Sequence, residues 1–219
     1  MFAVTLAKAT DMHNILRIVY KASSYSWVLL SNKLFTFIFR LKLKINDVHV
    51  GKGLRVTKSV PELLINKRSE AVWIGDNVSF ESYGMHSWYC KCKIIVRERA
   101  TLTIGNYSGI NGTMIYSKNA VTIGSHVKIG GGTHIADTNF HSIDYELRRN
   151  EKKDALYAVS SPIVIEDDVF IGAGCYIGKG VTIGARSIIA AGSVVVKSVP
   201  ADEIWGGNPA KFIKKLNNE

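Results

Sequence analysis

The chain has 219 residues, 47% hydrophobic and 21% charged, values that suit a folded globular protein and exclude a largely disordered or collagen-like one. That length suits one domain with a substantial core. The net charge of +10 is uneven: residues 1–68 hold 12 basic and 3 acidic side chains, a net +9, which leaves +1 for the other 151 positions.

Residues 1–69 form a basic, partly helical segment. No stretch of it combines a basic start, an uninterrupted apolar run and a small-residue cleavage site, so the expectation is a cytoplasmic protein without a leader. Asp11 is placed to cap a short helix through Ile15, Leu16 and Val19. Trp27, Leu30, Leu34, Phe37, Ile38 and Leu41 then recur at helical spacing, with Lys33, Arg40, Lys42 and Lys44 between them. Ser31, Asn32 and Lys33 break the apolar run short of the roughly 20 residues that span a bilayer. Two roles stay open for this second helix: a cap over exposed strand edges or against a partner subunit, or a basic amphipathic element lying on an anionic membrane. No nucleic-acid reader motif accompanies the basic residues.

From about residue 70 the text becomes periodic. Ile74 opens IGDNVS, Ile104 opens IGNYSG, and IGSHVK, IGGGTH and IADTNF run from Ile123 to Phe140. From Ile165 six consecutive blocks follow: IEDDVF, IGAGCY, IGKGVT, IGARSI, IAAGSV and VVKSVP. An aliphatic residue every six positions with a small or short one four later cannot form one face of a helix of period 3.6. It fits short strands joined by turns, three blocks to a triangular coil, with the aliphatic residues stacked inward. Glycine after the aliphatic residue permits a tight turn at each corner. The 19 glycines against 4 prolines are explained by that arrangement. Cys175 then becomes a small core residue at a fifth position. Cys90 and Cys92 form C-x-C without a second pair, so no metal site is expected, and three cysteines argue against a disulfide-built fold.

Residues 141–161 interrupt the repeat with polar, charged text, and a stacking solenoid must expel such an insertion as a loop. His141, at the root of that loop, is a candidate general base. Asp137, Asp144 and Glu146 are candidates for the carboxylate that orients it.

The run from His141 through Arg148 to Asn150, followed by SSPIVIEDDVFIGAG, IIAAGSVVVKSVP and GGNPAKFIKKL, resembles the CoA-dependent acetyltransferases of the hexapeptide-repeat superfamily. It is most similar to galactoside and maltose O-acetyltransferases and to O-acetyltransferases of surface-polysaccharide clusters. The resemblance implies an all-β solenoid, a left-handed parallel β-helix over residues 70–205 with an N-terminal helical segment, an extended loop and a short helical tail over 206–219. It implies a homotrimer with sites between subunits, acetyl-CoA as co-substrate, a sugar hydroxyl as acceptor and His141 as its base. The cofactor groove would lie beside Phe170, Ala173, Ala191 and Gly192, with Lys197, Lys211 and Lys214 on the phosphates. Phe170 stands where that family often has Trp, and Trp205 where it usually has a small residue. Gly112 stands where the galactoside enzymes carry a sugar-binding asparagine, which leaves Asn111 as the acceptor-contacting candidate. Three rival readings share the architecture: N-acetylation of an amino sugar, a non-catalytic scaffold, and a γ-carbonic-anhydrase-like zinc enzyme using His126, His134 and His141, with His86 further off.

Overall fold

The computed structural model describes residues 2–66, 71–83 and 90–216. Its body is a three-sided prism of stacked parallel coils, as the hexads predict, and is the left-handed β-helix that the resemblance implies. One helix, α1 (Phe2–Ile45), precedes it. The first coil is β1 (His49–Val50), β2 (Arg55–Thr57) and β3 (Glu62–Ile65). The second is β4 (Ala71–Ile74), β5 (Ser79–Glu81) and β6 (Lys93–Val96). The third is β7 (Thr101–Ile104), β8 (Gly109–Asn111) and β9 (Met114–Ser117), and the fourth β10 (Ala120–Ile123), β11 (Lys128–Ile129) and β12 (His134–Ala136). The loop then carries α2 (Tyr145–Arg148) and α3 (Glu151–Tyr157). The fifth coil is β13 (Ile163–Ile165), β14 (Phe170–Ile171) and β15 (Tyr176–Ile177), and the sixth β16 (Thr182–Ile183), β17 (Ile188–Ile189) and β18 (Val194–Val195). Two further strands, β19 (Glu203–Gly206) and β20 (Lys211–Lys215), finish the chain.

Sheet A collects the first strand of each coil, sheet B the second and sheet C the third. The register stacks like on like. In sheet A, Ile74, Ile104, Ile123, Ile165 and Ile183 lie one above another. In sheet B the column is Phe80, Ile110, Ile129, Ile171 and Ile189. All ten are buried in one continuous core, which is where the repeat places its stabilisation. Small polar residues at fifth positions stay dry by bonding the backbone: Ser108 Oγ donates to Gly124 O at 2.8 Å and Ser193 Oγ to Ala190 O at 2.6 Å. Cys175 is buried among these positions, as expected. At Gly172 the coils approach so closely that an added Cβ would lie 2.5 Å from Ala191 N, so the residue is fixed by contact as much as by turn geometry.

Three expectations are corrected. The parallel ladder begins at His49, so the boundary near residue 70 falls within the prism, just before β4. The N-terminal segment holds one continuous helix, and Asp11 lies inside it and does not start it; the Asp11, Ile15, Leu16 and Val19 side chains lie outside the described residues. The tail beyond residue 206 is strand β20, antiparallel to β19, where a helix was expected. Trp205 on β19 pairs with Ile189 and packs on the core, so that hairpin is anchored as a sheet extension.

Both ends of the prism are covered. Over the first coil, Phe39 and Leu43 of α1 are fully buried, and Phe39 meets Phe80 edge to face at 5.4 Å. Thr36 Oγ1 accepts from Val56 N at 2.9 Å, giving a strand-edge N–H a partner. At the other end β19 and β20 extend sheet B past the last coil.

Candidate active site

The loop leaves the prism at the corner between sheets C and A and returns to the same place. Thr138 and Ser160 form an antiparallel bridge, and Asn139 N donates to Val159 O at 3.0 Å. Inside it each short helix has a capping side chain: Asp144 accepts from Glu146 N at 2.8 Å, and Asn150 accepts from Lys153 N at 3.1 Å. Arg148 ties the turn together, donating to Ser142 O at 2.7 Å and Ile143 O at 3.0 Å.

This folding brings Asp154, in the first turn of α3, onto His141. His141 Nδ1 lies 2.6 Å from Asp154 Oδ2, and Ser142 N donates to Oδ1 at 2.6 Å. Both carboxylate oxygens are therefore occupied. The bond from His141, then that from Ser142, holds the Asp154 carboxyl below the usual carboxylate range. With Nδ1–H committed to Asp154, the tautomer assigned by that contact leaves Nε2 with its lone pair, on a side chain that is 68% exposed. The Phe140 ring is fixed edge to face on Tyr116 at 4.8 Å. Beside the loop opens a cavity of about 330 Å³, bounded by Tyr116, Thr138, Phe140 and Ala155 with Arg97 and Lys118 among its polar walls.

None of the three carboxylates expected to orient His141 does so. Asp137 is buried and accepts from Lys118 N and Asn119 N, both at 2.7 Å; burial pushes its carboxyl up. Asp144 is spent as the α2 cap, and Glu146 accepts from the Tyr145 hydroxyl at 3.2 Å. Asp154 was missed because it lies 13 residues from His141; the signal was the pair of caps, Asp144 and Asn150, which marks two short helices folding back.

The residues expected around the cofactor gather elsewhere. Phe170 is exposed on sheet B. Ala173, Ala191 and Gly192 stack at the corner between sheets B and C, with Gly192 N donating to Ala173 O at 2.8 Å. Asn111 ends β8 one step before the same corner, and its carbonyl accepts from Thr113 Oγ1 at 2.7 Å. A Cβ built on Gly174 or Gly192 meets nothing within 4 Å, so the corner is open along its outer side. Lys211 and Lys214 are exposed on β20, at the end of sheet B. Lys197 is exposed beyond β18, after sheet C, and does not join that group. His141 follows sheet C, so one prism presents the base and the small-residue corner on different edges.

The histidines of the zinc reading also lie apart. His126 stacks on Tyr107 at 5.0 Å at the corner between sheets A and B, His134 is exposed on β12, and His141 is held by Asp154. His86 lies outside the described residues. Cys92 is buried and Cys90 exposed, so the two thiols of the C-x-C pair stand in different surroundings.

The bacterial transferase hexapeptide family, a unit of six repeats, matches residues 162–197. The galactoside O-acetyltransferase of Escherichia coli (strain K12) is 37% identical over 112 residues, 51% of this chain and 52% of that protein. The mitochondrial γ-carbonic anhydrase 2 of Arabidopsis thaliana is 36% identical over 106 residues, 46% of this chain and 38% of that one. A hexapeptide-repeat-containing acetyltransferase from Vibrio cholerae O1 biovar eltor, solved with acetyl coenzyme A, is 35% identical with 71% of this chain and 72% of that chain covered and a TM-score of 0.49. The chain carries the repeat unit of that transferase family over residues 162–197. It spans about half, or less, of the length of the curated relatives it matches.

Proposed function

We propose that the protein is an acetyl-CoA-dependent O-acetyltransferase that moves an acetyl group to a sugar hydroxyl, in surface-polysaccharide biosynthesis. The observation that carries this reading is the His141–Asp154 pair, which leaves Nε2 as a free acceptor on an exposed side chain of the loop. A hydroxyl is a poor nucleophile until its proton is taken as the new bond forms. Nε2 of His141 accepts that proton while the hydroxyl oxygen attacks the thioester carbonyl. As the carbon–sulfur bond breaks, the imidazolium returns the proton to the departing sulfur, so an acetyl ester and free CoA result. Asp154 fixes the tautomer and stabilises the imidazolium in between.

The open corner of small residues fits the thin pantetheine arm, with Phe170 beside it and Lys211 and Lys214 toward the phosphates; Lys197 would reach them only from the neighbouring edge. Because base and corner lie on different edges of one prism, we assign the active unit to a homotrimer in which the His141 loop of one subunit faces the corner of the next. Asn111, at that corner, is the acceptor-contacting candidate. Three free cysteines and the need for acetyl-CoA suit the cytoplasm.

The test is release of CoA from acetyl-CoA across hydroxyl- and amino-sugar acceptors, free, nucleotide-linked and lipid-linked. A hydroxyl acceptor should be turned over, and His141→Ala should lower the rate at least about 100-fold with CoA binding little changed. Near-full turnover by that variant removes His141 from the reaction, and turnover of amino sugars alone replaces the ester product with an amide. Lys211→Glu with Lys214→Glu should raise the CoA dissociation constant, and an unchanged value by calorimetry refutes their assignment.

A further inference from the structure

Helix α1 is 44 residues long, and only its last third is needed to close the prism. Asn32, Thr36, Phe39 and Leu43 form the stripe that faces the first coil: Asn32 Oδ1 accepts from Lys58 N, Thr36 engages Val56, and the other two are buried. Trp27, Leu30, Leu34, Phe37, Leu41 and Ile45 recur three or four residues apart on the opposite side of the helix. Each is between 49% and 71% exposed. So many large apolar side chains in one line away from the body form a surface built to be covered.

The charge around the line indicates what covers it. Among residues 2–45 there are seven Lys and Arg and one acidic residue, Asp11. Lys33, Arg40 and Lys44 run along one flank of the apolar line, and Lys33 and Lys44 are exposed. A second copy of the helix would set these cations against one another with no acidic residue after Asp11 to pair them, whereas paired helices draw on opposite charges beside the seam. An anionic lipid surface complements both features: the apolar line enters the interface and the cations meet the headgroups. Phe37, Leu41, Arg40 and Lys44 also line an open cavity of about 780 Å³ along the flank of α1 beside β1, with Asp47 as its one carboxylate. The cavity thus sets cations beside apolar walls, as a phosphate headgroup with its glycerol requires. Among the described residues no helix is long and apolar enough to cross a membrane.

We propose that α1 docks the protein on an anionic phospholipid surface, lying in the interface with Trp27, Leu30, Leu34 and Phe37 inserted and Lys33 and Lys44 on the headgroups. The docking is read without substrate, so it stands or falls separately from the acyl-transfer reading. The full chain should sediment with vesicles of phosphatidylcholine containing phosphatidylglycerol at low salt, bind pure phosphatidylcholine weakly, and dissociate as salt is raised. Leu30→Ser with Leu34→Ser and Phe37→Ser should lower partitioning about tenfold or more, as should Lys33→Glu with Lys44→Glu. All five positions are partly or largely exposed, and circular dichroism checks that the helix persists in each variant. Failure to bind anionic vesicles at low salt overturns the proposal. So does unchanged binding by the serine variant, or a fall in its particle mass by light scattering, which would assign the apolar line to a second copy.

Discussion

Replacing Asp154 with Asn tests the arrangement around His141 without removing the imidazole. The carboxylate accepts two hydrogen bonds at once, from Ser142 N and from His141 Nδ1, each at 2.6 Å. An amide has one oxygen and one NH2 group. The backbone N–H of Ser142 can only donate, so the amide oxygen goes to it and the NH2 turns to Nδ1. Nδ1 must then carry the lone pair, which moves the proton to Nε2, where it blocks the base. One charge-assisted bond is lost on a ring that is 68% exposed, so solvent screens part of the effect. The expected fall in kcat is about 10- to 100-fold, smaller than for His141→Ala, with KM for acetyl-CoA nearly unchanged. The double variant should be no slower than His141→Ala alone, because the carboxylate acts only through the ring. Nitrogen NMR of the imidazole reads the tautomer directly. Retention of the wild-type tautomer and full kcat in Asp154→Asn, or additive losses in the double variant, would refute the assignment. The pair also has a pH signature. Its carboxyl is held low, so the pairing is complete above the ordinary carboxylate range, about 3.9, and is lost as pH falls through the lowered value. His141→Ala removes the largest cause of the lowering, and the Asp154 midpoint should rise.

Two further predictions rest on burial. Burial pushes the Cys92 thiol up to about 11, and burial also raises that of Cys175, whereas Cys90 is exposed; iodoacetamide at pH 8 should modify Cys90 in the native protein and all three after unfolding. Rapid native labelling of Cys92 would contradict its place in the core. Phe39 is fully buried against Phe80, so Phe39→Ala should destabilise the cap by about 3–5 kcal/mol. Amide exchange would show lost protection in β2 and β5 before β16 and β17, and uniform protection across the prism would mean that α1 does not close it.

The prism was legible wherever the hexads are clean. An inward aliphatic side chain must be repeated in register, so Ile165, Ile171, Ile177, Ile183 and Ile189 announce the stacking on their own. The first coil was overlooked although it keeps the same frame: Val50 and Val56 open blocks, and Leu54 and Val60 stand at fifth positions, with Leu54 and Val56 buried. Lys52, Arg55 and Lys58 made the stretch look like surface, but side chains between the inward positions point out and are free to carry charge. The continuity of α1 was hidden for a related reason. Ser31 and Asn32 weaken local helix propensity, but Asn32 gains a bond to Lys58 N from the first coil, and tertiary contact outweighs propensity there. His141 was legible from its place at the break in the repeat. Asp154 was not, because its contact depends on how two short helices fold, which no periodicity encodes.

The bridge between Thr138 and Ser160 gives the loop a neck one residue pair wide, while Ile123 of the coil before it remains stacked on Ile165 of the coil after it. The insertion therefore adds no slack to the ladder, and everything between the two residues is free to change length or composition without a shift in the frame of the solenoid. His141 and Asp154 both lie inside that neck, so residues 139–159 hold the pair together as one cassette. The loop can diversify there while the aliphatic columns of the coils beneath it keep the ladder in register.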